Sequence, residues 1–420
     1  MVIGSGPGGY VAAIRASQLN MKVAVVEKSE IGGICLNWGC IPTKSLLKSA
    51  QVLDYINHAE DYGIRGGAEA KPDFGAIVAR GRGVAEGMSK GIQYLFRKNN
   101  IELLKGFGAL AGGSEVEVTS DDGSKKKYSA GNIIIATGAR SKELPGLKQD
   151  GRKIIGYREA MTLPVQPETM VVAGSGAIGS EFAYFYQTIG TSVTLVEFMP
   201  RIVPNEDEEV SRQLERSFKK MKMRVLTGSS VESADTSGDK CRLKILTPRG
   251  YEELETDIVL SAVGVETNIT GIGLELAGVR TEKGKVVVDD YYRTNVPGIF
   301  AIGDIVHGPA LAHVASAEGI ACVEKIAGLD PEPVDYSNIP SCIYTTPEIA
   351  SCGMTEAAAK AAGREIRVGK FPFAASGKAN ASGSKEGFVK LIFDASDGEL
   401  LGAHMIGANV TEMISELVAS

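Results

Sequence analysis

The feature that most constrains the fold of this chain is a glycine pattern that occurs twice, 170 residues apart. The pattern G-x-G-x-x-G spans Gly4–Gly9 and recurs over Gly174–Gly179, each time after a short apolar run and before a segment with helical spacing. In both copies an acid at the end of a second apolar run follows the first glycine by 23 residues: Glu27 in one, Glu197 in the other. Chance alone rarely repeats a whole context of this kind.

Each glycine of such a strand–loop–helix unit has its own physical task. The first permits a tight turn, the second lets backbone approach a pyrophosphate, and the third lets helix and strand pack closely. These three tasks fall to Gly4, Gly6 and Gly9 in the first copy, and to Gly174, Gly176 and Gly179 in the second. The phosphates bind at the helix N-terminus, and the acid accepts hydrogen bonds from an adenosine ribose. The sequence therefore predicts two dinucleotide sites.

The charge of the second acid bears on the choice of cofactor. Glu197 would repel a 2′-phosphate placed a few ångströms away, so the second site is expected to take NAD rather than NADP. The same reasoning makes the first site an adenosine site but does not name its ligand.

Two cysteines, Cys35 and Cys40, follow the first acid closely. On an ideal helix, residues five apart differ by about 140° in projection, whereas a disulfide needs Cα atoms within roughly 4.4–6.8 Å. A disulfide here would require a break in the helix, for which Gly39 and Pro42 are suited. A regular helix is expected to begin near Pro42 and to bury one face, formed by Leu46, Leu47, Ala50 and Leu53.

Three interpretations of the cysteine pair compete. A zinc site needs about four ligands, and no nearby histidine or cysteine supplies the others. Two unrelated buried thiols are a second interpretation, which the flanking glycines and Trp38 disfavour because they are unusual in an ordinary core segment. A redox disulfide beside the first dinucleotide site is favoured, since cysteines near a helix N-terminus suit thiol exchange. Four further cysteines are expected to be buried thiols in a reducing compartment, namely Cys241, Cys322, Cys342 and Cys352.

The net charge and composition disfavour some classes of binding partner. The 420 residues carry a net charge of −6, and the densest basic run, Lys125–Lys127, follows Asp121–Ser124 and is predicted to be a solvated hairpin turn. Nucleic acid and anionic membranes are therefore poor partners. No apolar stretch has the length that a bilayer needs, and no secretion leader is visible.

The order of these motifs, with the A-T-G of Ala136–Gly138 and a late Gly-Asp, resembles the pyridine nucleotide–disulfide oxidoreductase family along essentially the whole chain. The resemblance implies an α/β fold with two Rossmann-like domains, for FAD and NAD, and an α+β dimerisation domain. The implied boundaries are 1–143 and 269–335 for FAD, 144–268 for NAD, and 336–420 for dimerisation. The short first strand and an uncapped helical stripe before Ser420 lead us to expect that both ends are incomplete.

The resemblance also implies site residues. For FAD they are the first glycine loop and the residues Glu27, Lys28, Gly33, Lys44, Gly108, Thr137, Gly138, Ala139, Asp304, Ala310, Leu311, Ala312 and His313. For NAD they are the second glycine loop and the residues Ile178, Glu181, Glu197, Val231 and Gly264. Lys44 and Glu181 resemble the ion pair beneath the flavin. Val265 and Glu266 stand where the family often has two arginines, which further disfavours NADP.

The implied reaction is oxidation of dihydrolipoyl groups to lipoyl with NAD⁺, through a Cys35–Cys40 disulfide and FAD. Cys35 would exchange with substrate and Cys40 would face the flavin. The expected partners are lipoyl domains or an H-protein and a second copy of the chain, in the cytoplasm, or in the mitochondrial matrix or plastid stroma of a eukaryote. The family's carboxyl-terminal His-x-His-Pro base has no counterpart here, so slow turnover is expected. A mercuric- or glutathione-type reductase and a non-catalytic flavoprotein scaffold stay open as alternatives.

Overall fold

A computed structural model describes residues 1–67 and 69–420 of the chain. In this part the α-helices are α1 (Pro7–Gln18), α2 (Gly33–Trp38), α3 (Cys40–Asn57), α4 (Phe74–Lys98), α5 (Tyr157–Ala160), α6 (Ala177–Thr188), α7 (Glu208–Lys220), α8 (Leu274–Ala277), α9 (Ala312–Ile326), α10 (Glu356–Ala361), α11 (Gly377–Ala381) and α12 (Val410–Val418). Short 3₁₀ turns span Ala59–Tyr62, Gly303–Ile305 and Phe373–Ala375.

The strands are β1 (Val2–Ile3), β2 (Ala24–Glu27), β3 (Glu102–Lys105), β4 (Phe107–Leu110), β5 (Glu115–Thr119), β6 (Lys125–Ser129), β7 (Ile133–Ile135), β8 (Ala139–Ser141), β9 (Ile154–Ile155), β10 (Thr169–Ala173), β11 (Ser192–Val196), β12 (Arg224–Leu226), β13 (Ser230–Asp235), β14 (Cys241–Thr247), β15 (Gly250–Thr256), β16 (Ile258–Ser261), β17 (Val265–Thr267), β18 (Thr281–Glu282), β19 (Lys285–Val286), β20 (Ile299–Ala301), β21 (Ser341–Ile343), β22 (Glu348–Gly353), β23 (Ile366–Pro372), β24 (Phe388–Asp394) and β25 (Leu400–Gly407).

The chain divides into two compact units, each built from three segments. Unit 1 comprises residues 1–42, 81–140 and 265–336, and unit 2 comprises residues 43–80, 141–264 and 337–420. Two of the boundaries fall inside helices, α3 and α4.

A parallel five-stranded sheet with the order β20-β7-β1-β2-β3 forms the centre of unit 1. Strands β20, β7 and β1 of this sheet are apolar runs in which every residue is buried, as expected where both faces of a parallel sheet are covered. Helices α1 and α9 pack together through small residues, and a Cβ atom added at Gly8 or Gly319 would crowd the backbone of the other helix. This packing brings the start of α9 to the first glycine loop.

Unit 2 repeats the parallel arrangement and adds antiparallel sheets. Its parallel sheet has the order β12-β11-β10-β16-β9, with the second glycine loop after β10. A three-stranded antiparallel sheet, β13-β14-β15, and a five-stranded antiparallel sheet, β21-β22-β25-β24-β23, complete the unit. The predicted fold class, two Rossmann-like units with an α+β carboxyl-terminal part, is confirmed.

Helix α3 begins at Cys40, near Pro42 as predicted, and Pro42 lies in its first turn, where no N–H donor is needed. Two local predictions need correction. The turn over Asp121–Ser124 is present, but Lys125–Lys127 belongs to the exposed edge strand β6. Cys342 is only half-buried, whereas Cys241, Cys322 and Cys352 are buried as predicted. No helix among residues 1–67 and 69–420 is long and apolar enough to cross a membrane.

Candidate active site

The first glycine loop has the geometry of a phosphate-binding turn. Gly4 has φ +104°, and a Cβ atom there would collide with the carbonyl of Ala136. A Cβ atom at Gly9 would collide with the Gly4 carbonyl, whereas one at Gly6 would meet nothing within 4 Å. The chain itself thus requires the outer glycines, and the open space at Gly6 is where a ligand can approach. No side chain caps α1, so its first N–H groups can donate hydrogen bonds to phosphate oxygens.

The second loop, in unit 2, has the same construction. Gly174 has φ +96°, and added Cβ atoms at Gly174 and Gly179 would collide with the carbonyls of Ala262 and Gly174. Gly176 faces open space, and α6 also begins without a side-chain cap. The residues present therefore fit a second dinucleotide.

The two acids close their loops in the same way. Glu27 Oε2 accepts hydrogen bonds from Ser5 N (2.9 Å) and Ser5 Oγ (2.6 Å), and Oε1 accepts one from Ser29 N (2.8 Å). Glu197 Oε2 accepts from Ser175 N (2.8 Å) and Ser175 Oγ (2.6 Å), and Oε1 accepts from Met199 N (2.8 Å). An ionised carboxylate has about four acceptor positions, so each retains capacity for a ribose hydroxyl.

Cys35 and Cys40 form the predicted disulfide, with their Cα atoms 4.7 Å apart. Helix α2 carries Cys35 and ends before Gly39, whose φ and ψ of −141° and −116° are not helical. The break lets Cys40 become the first residue of α3, where the helix dipole favours a thiolate. Neither cysteine is fully buried.

The disulfide segment lies against the first glycine loop. Gly32 N donates to Ser5 O at 3.1 Å, and a Cβ atom at Gly33 would press on the Cα atom of Gly6. The predicted site residue Gly33 is therefore in direct contact with the loop. This places the start of the cysteine-bearing helix α2 beside the expected pyrophosphate position.

Two residues that sequence reasoning missed hold α2 in place. Asn37 Nδ2 donates to the carbonyls of Ile31 (2.9 Å) and Gly33 (3.0 Å). The Arg82 guanidinium donates to the Asn37 carbonyl and lies 3.9 Å from the centre of the Trp38 ring. Asn37 could have been found from its place between the cysteines, but nothing local marks Arg82, which lies on another helix.

The other residues expected at the first site lie at the carboxyl end of the unit 1 sheet. Thr137 and Asn268 exchange hydrogen bonds of 2.8 and 3.0 Å that join the loop after β7 to the segment after β17. Asp304 lies in the 3₁₀ turn after β20, and burial raises its pKa, against the opposing charge of Lys285.

The stretch Ala310–His313 leads into helix α9, which packs on α1. Of two other predicted residues, Gly108 lies in β4 and Lys28 directly follows β2. Gly108 packs tightly against the side chains of Val26 and Ile3, and Lys28 is exposed, with its Nζ 6.0 Å from the Phe107 ring.

Glu318 is a further buried acid at this end of unit 1 that the sequence did not indicate. Its carboxylate accepts hydrogen bonds from Gly303 N and from Tyr336 Oη (2.7 Å). Burial raises the pKa of Glu318 to about 7, while these hydrogen bonds act in the opposite direction. Glu318 therefore fixes the turn that carries Asp304.

In unit 2 the structure pairs Lys44 with Glu181, as expected. Lys44 Nζ lies 3.0 and 3.2 Å from the two carboxylate oxygens of Glu181, whose side chain is only 5% exposed.

Near the second loop, Ile178 is exposed, Gly264 has φ +114°, and Val231 lies at an irregularity in β13. Tyr344, which was not predicted, contacts both members of the ion pair.

Comparison with known proteins agrees with this geometry. A family profile described as pyridine nucleotide-disulphide oxidoreductase matches residues 1–319, and the dimerisation domain of the same group matches residues 339–420. The chain is 47% identical to a dihydrolipoyl dehydrogenase of Rhizobium etli, over 100% of this chain and 91% of the relative. It is 48% identical to one of Chlorobaculum tepidum, over 99% and 89%.

A solved structure agrees as well. LpdA from Mycobacterium tuberculosis superimposes with a TM-score of 0.93 at 28% identity, over 100% of this chain and 92% of the solved one.

Proposed function

Because the chain belongs to the pyridine nucleotide-disulphide oxidoreductase family, we propose that it is a dihydrolipoyl dehydrogenase, which oxidises dihydrolipoyl groups with NAD⁺. The observation that carries this proposal is the position of the disulfide. Its helix α2 begins in contact with a dinucleotide loop, with Gly32 N 3.1 Å from Ser5 O. A structural disulfide has no need of that neighbour, whereas an electron-transferring one does.

We assign FAD to the first loop. The open space at Gly6, the uncapped start of α1 and the spare acceptor capacity of Glu27 suit an adenosine diphosphate moiety. Asp304 and the start of α9 would hold the ribityl chain. Bound FAD supplies the two-electron step between a dithiol and a nicotinamide.

We assign NAD to the second loop. The ribose hydroxyls of its adenosine would donate hydrogen bonds to the carboxylate of Glu197. The negative charge of Glu197 disfavours the 2′-phosphate of NADP. The pyrophosphate would bind at the second glycine loop, formed by Gly174, Gly176 and Gly179. The rest of the cofactor would contact Ile178, Val231 and Gly264.

The disulfide performs the thiol chemistry in two exchange steps. A substrate thiolate attacks Cys35 Sγ, the Cys35–Cys40 bond breaks, and Cys40 leaves as a thiolate that the N-terminus of α3 stabilises. The second substrate thiolate then attacks the substrate sulfur of the mixed disulfide and releases Cys35. The substrate is thereby oxidised to a cyclic disulfide, and the two cysteines hold the two electrons as thiolates.

The partners follow from this chemistry. The substrate dithiol would be carried on a lipoyl domain or an H-protein, and residues 339–420, which match a dimerisation domain, would join two copies of the chain. We place the reaction in the cytoplasm, or in the mitochondrial matrix or plastid stroma of a eukaryote, where thiols stay reduced.

The proposal is tested by following NADH formation from dihydrolipoamide and NAD⁺ with the FAD-loaded protein. NADH formation that requires both Cys35 and Cys40 is the expected result. Turnover of glutathione disulfide with NADPH instead, or reduction of Hg²⁺, would reject this substrate and point to a different disulfide or metal reductase.

A further inference from the structure

Tyr344 is in contact with both members of the Lys44–Glu181 pair, although it comes from a distant part of the sequence. Its ring centre lies 4.3 Å from Lys44 Nζ, well within the roughly 6 Å range of cation–π attraction. Its backbone N–H donates to Glu181 Oε1 at 2.9 Å. Tyr344 follows strand β21, so the carboxyl-terminal sheet supplies this contact.

The ion pair needs such support because Lys44 is not enclosed. The Lys44 side chain is 34% exposed, and a long ammonium side chain at that exposure has several conformations open to it. Glu181 restrains it through two oxygens, and the ring of Tyr344 restrains it from a further side. Burial raises the pKa of the Tyr344 phenol to about 12, helped by the nearby acidic groups Cys342 and Glu181, so the ring stays neutral.

We propose that Tyr344 is a positioning residue that holds the Lys44 ammonium through its ring face and holds the Glu181 carboxylate through its backbone N–H. This inference rests on the proposed function, since it assumes that the charge of Lys44 acts on the bound flavin. It assigns to the carboxyl-terminal sheet a part in holding the Lys44–Glu181 pair, besides the proposed joining of two copies of the chain.

The test compares Tyr344→Phe with Tyr344→Leu in the FAD-loaded protein. Phenylalanine keeps the ring face and leucine removes it, while both keep the backbone N–H to Glu181. The first measurement is the rate at which a small acylating reagent modifies Lys44, resolved by peptide mass spectrometry. The rate is expected to rise roughly three- to thirtyfold in Tyr344→Leu, as a cation–π contact of this kind is lost, and to stay within about twofold of the native rate in Tyr344→Phe.

The second measurement is the long-wavelength absorbance of the partially reduced protein, which should weaken or shift in Tyr344→Leu and stay native in Tyr344→Phe. A matched control is Tyr251→Leu, because the Tyr251 ring lies 4.1 Å from Lys244 Nζ in the same way. That variant should raise the acylation rate of Lys244 and leave the acylation rate of Lys44 and the absorbance unchanged.

The outcomes separate the two proposals. Native Lys44 acylation and native absorbance in Tyr344→Leu would overturn the positioning role, even if dihydrolipoamide oxidation by the native protein supports the proposed function. An equal effect of Tyr344→Phe and Tyr344→Leu on both measurements would also overturn it, since the ring face would then not matter. A native protein that does not oxidise dihydrolipoamide would instead reject the proposed function.

Discussion

Lys390 and Asp207 form a buried ion pair in which Nζ lies 2.9 Å from Oδ1 and each side chain is only 2% exposed. Glu209 Oε2 at 3.1 Å and Glu356 Oε2 at 2.6 Å complete a cluster of three carboxylates around one ammonium. Asp207 also caps α7, the helix between β11 and β12 of the parallel sheet, while Lys390 lies in the carboxyl-terminal sheet. The cluster therefore connects these two parts of unit 2.

Replacing Lys390 with methionine is expected to lower the free energy of unfolding by about 3–5 kcal/mol, because Asp207 would keep a buried charge without its partner. Urea unfolding of the native and variant proteins measures the difference. Lys370→Met is the matched control: Lys370 pairs with Glu209 across an exposed bridge, which contributes about 0–1 kcal/mol. An equal decrease in the free energy of unfolding in the two variants would show that burial does not increase the cost of removing the lysine.

Glu206 predicts a pH dependence of stability. Its side chain is 5% exposed, and burial raises its pKa to about 7, with Asp207 adding to the shift and Ser351 opposing it. The folded protein thus binds this proton more tightly than the unfolded chain, whose value is 4.5. Stability from this group is fully present below pH 4.5 and is lost as the pH rises towards 7.

Glu206→Gln should remove that loss. We expect the variant to match the native protein near pH 4.5 and to exceed its unfolding free energy at pH 8 by up to roughly 3 kcal/mol. Unfolding curves between pH 5 and 8 measure the difference, with exposed Glu208→Gln as the control. A stability gap that does not widen with pH would show that Glu206 does not ionise in this range.

Glu197 is expected to set the preference for NAD over NADP. Glu197→Gln removes the charge, and with it a repulsion of about 1–4 kcal/mol toward a 2′-phosphate, so the ratio of kcat/KM for the two cofactors should fall at least about fivefold. Glu27→Gln is the matched control, since it makes the same change in the equivalent loop. It should weaken retention of FAD and leave the NAD-to-NADP ratio unchanged; a constant ratio in Glu197→Gln would reject the assignment.

The sequence predicted those features that depend on short spacing. The two glycine loops, their acids and the need for a break at Gly39 follow from local spacing, and the structure shows the expected loop backbone and the break at Gly39. The start of α3, expected near Pro42, lies at Cys40, so that Pro42 is part of the first turn. Lys125–Lys127 was assigned to a turn because charge alone does not separate a turn from an exposed edge strand.

The features that escaped prediction depend on packing between distant residues. Lys390 and Asp207 are 183 positions apart, and Glu181 and Tyr344 are 163 apart. Lys390 and Asp207 lie in no motif, and each of them alone looks like an ordinary surface residue. Glu181 was expected at the site, but nothing in the sequence marks Tyr344 as its partner. Only the folded chain reveals which of them are buried and which partner each one has.

The account depends most directly on electrons passing from a dithiol to the flavin through Cys40. The decisive measurement is the anaerobic absorbance spectrum of the FAD-loaded protein after dihydrolipoamide is added without NAD⁺. A long-wavelength band from a thiolate against the flavin should form in the native protein, be present in Cys35→Ser even before reduction, and be absent from Cys40→Ser. A band of native strength in Cys40→Ser would contradict the account.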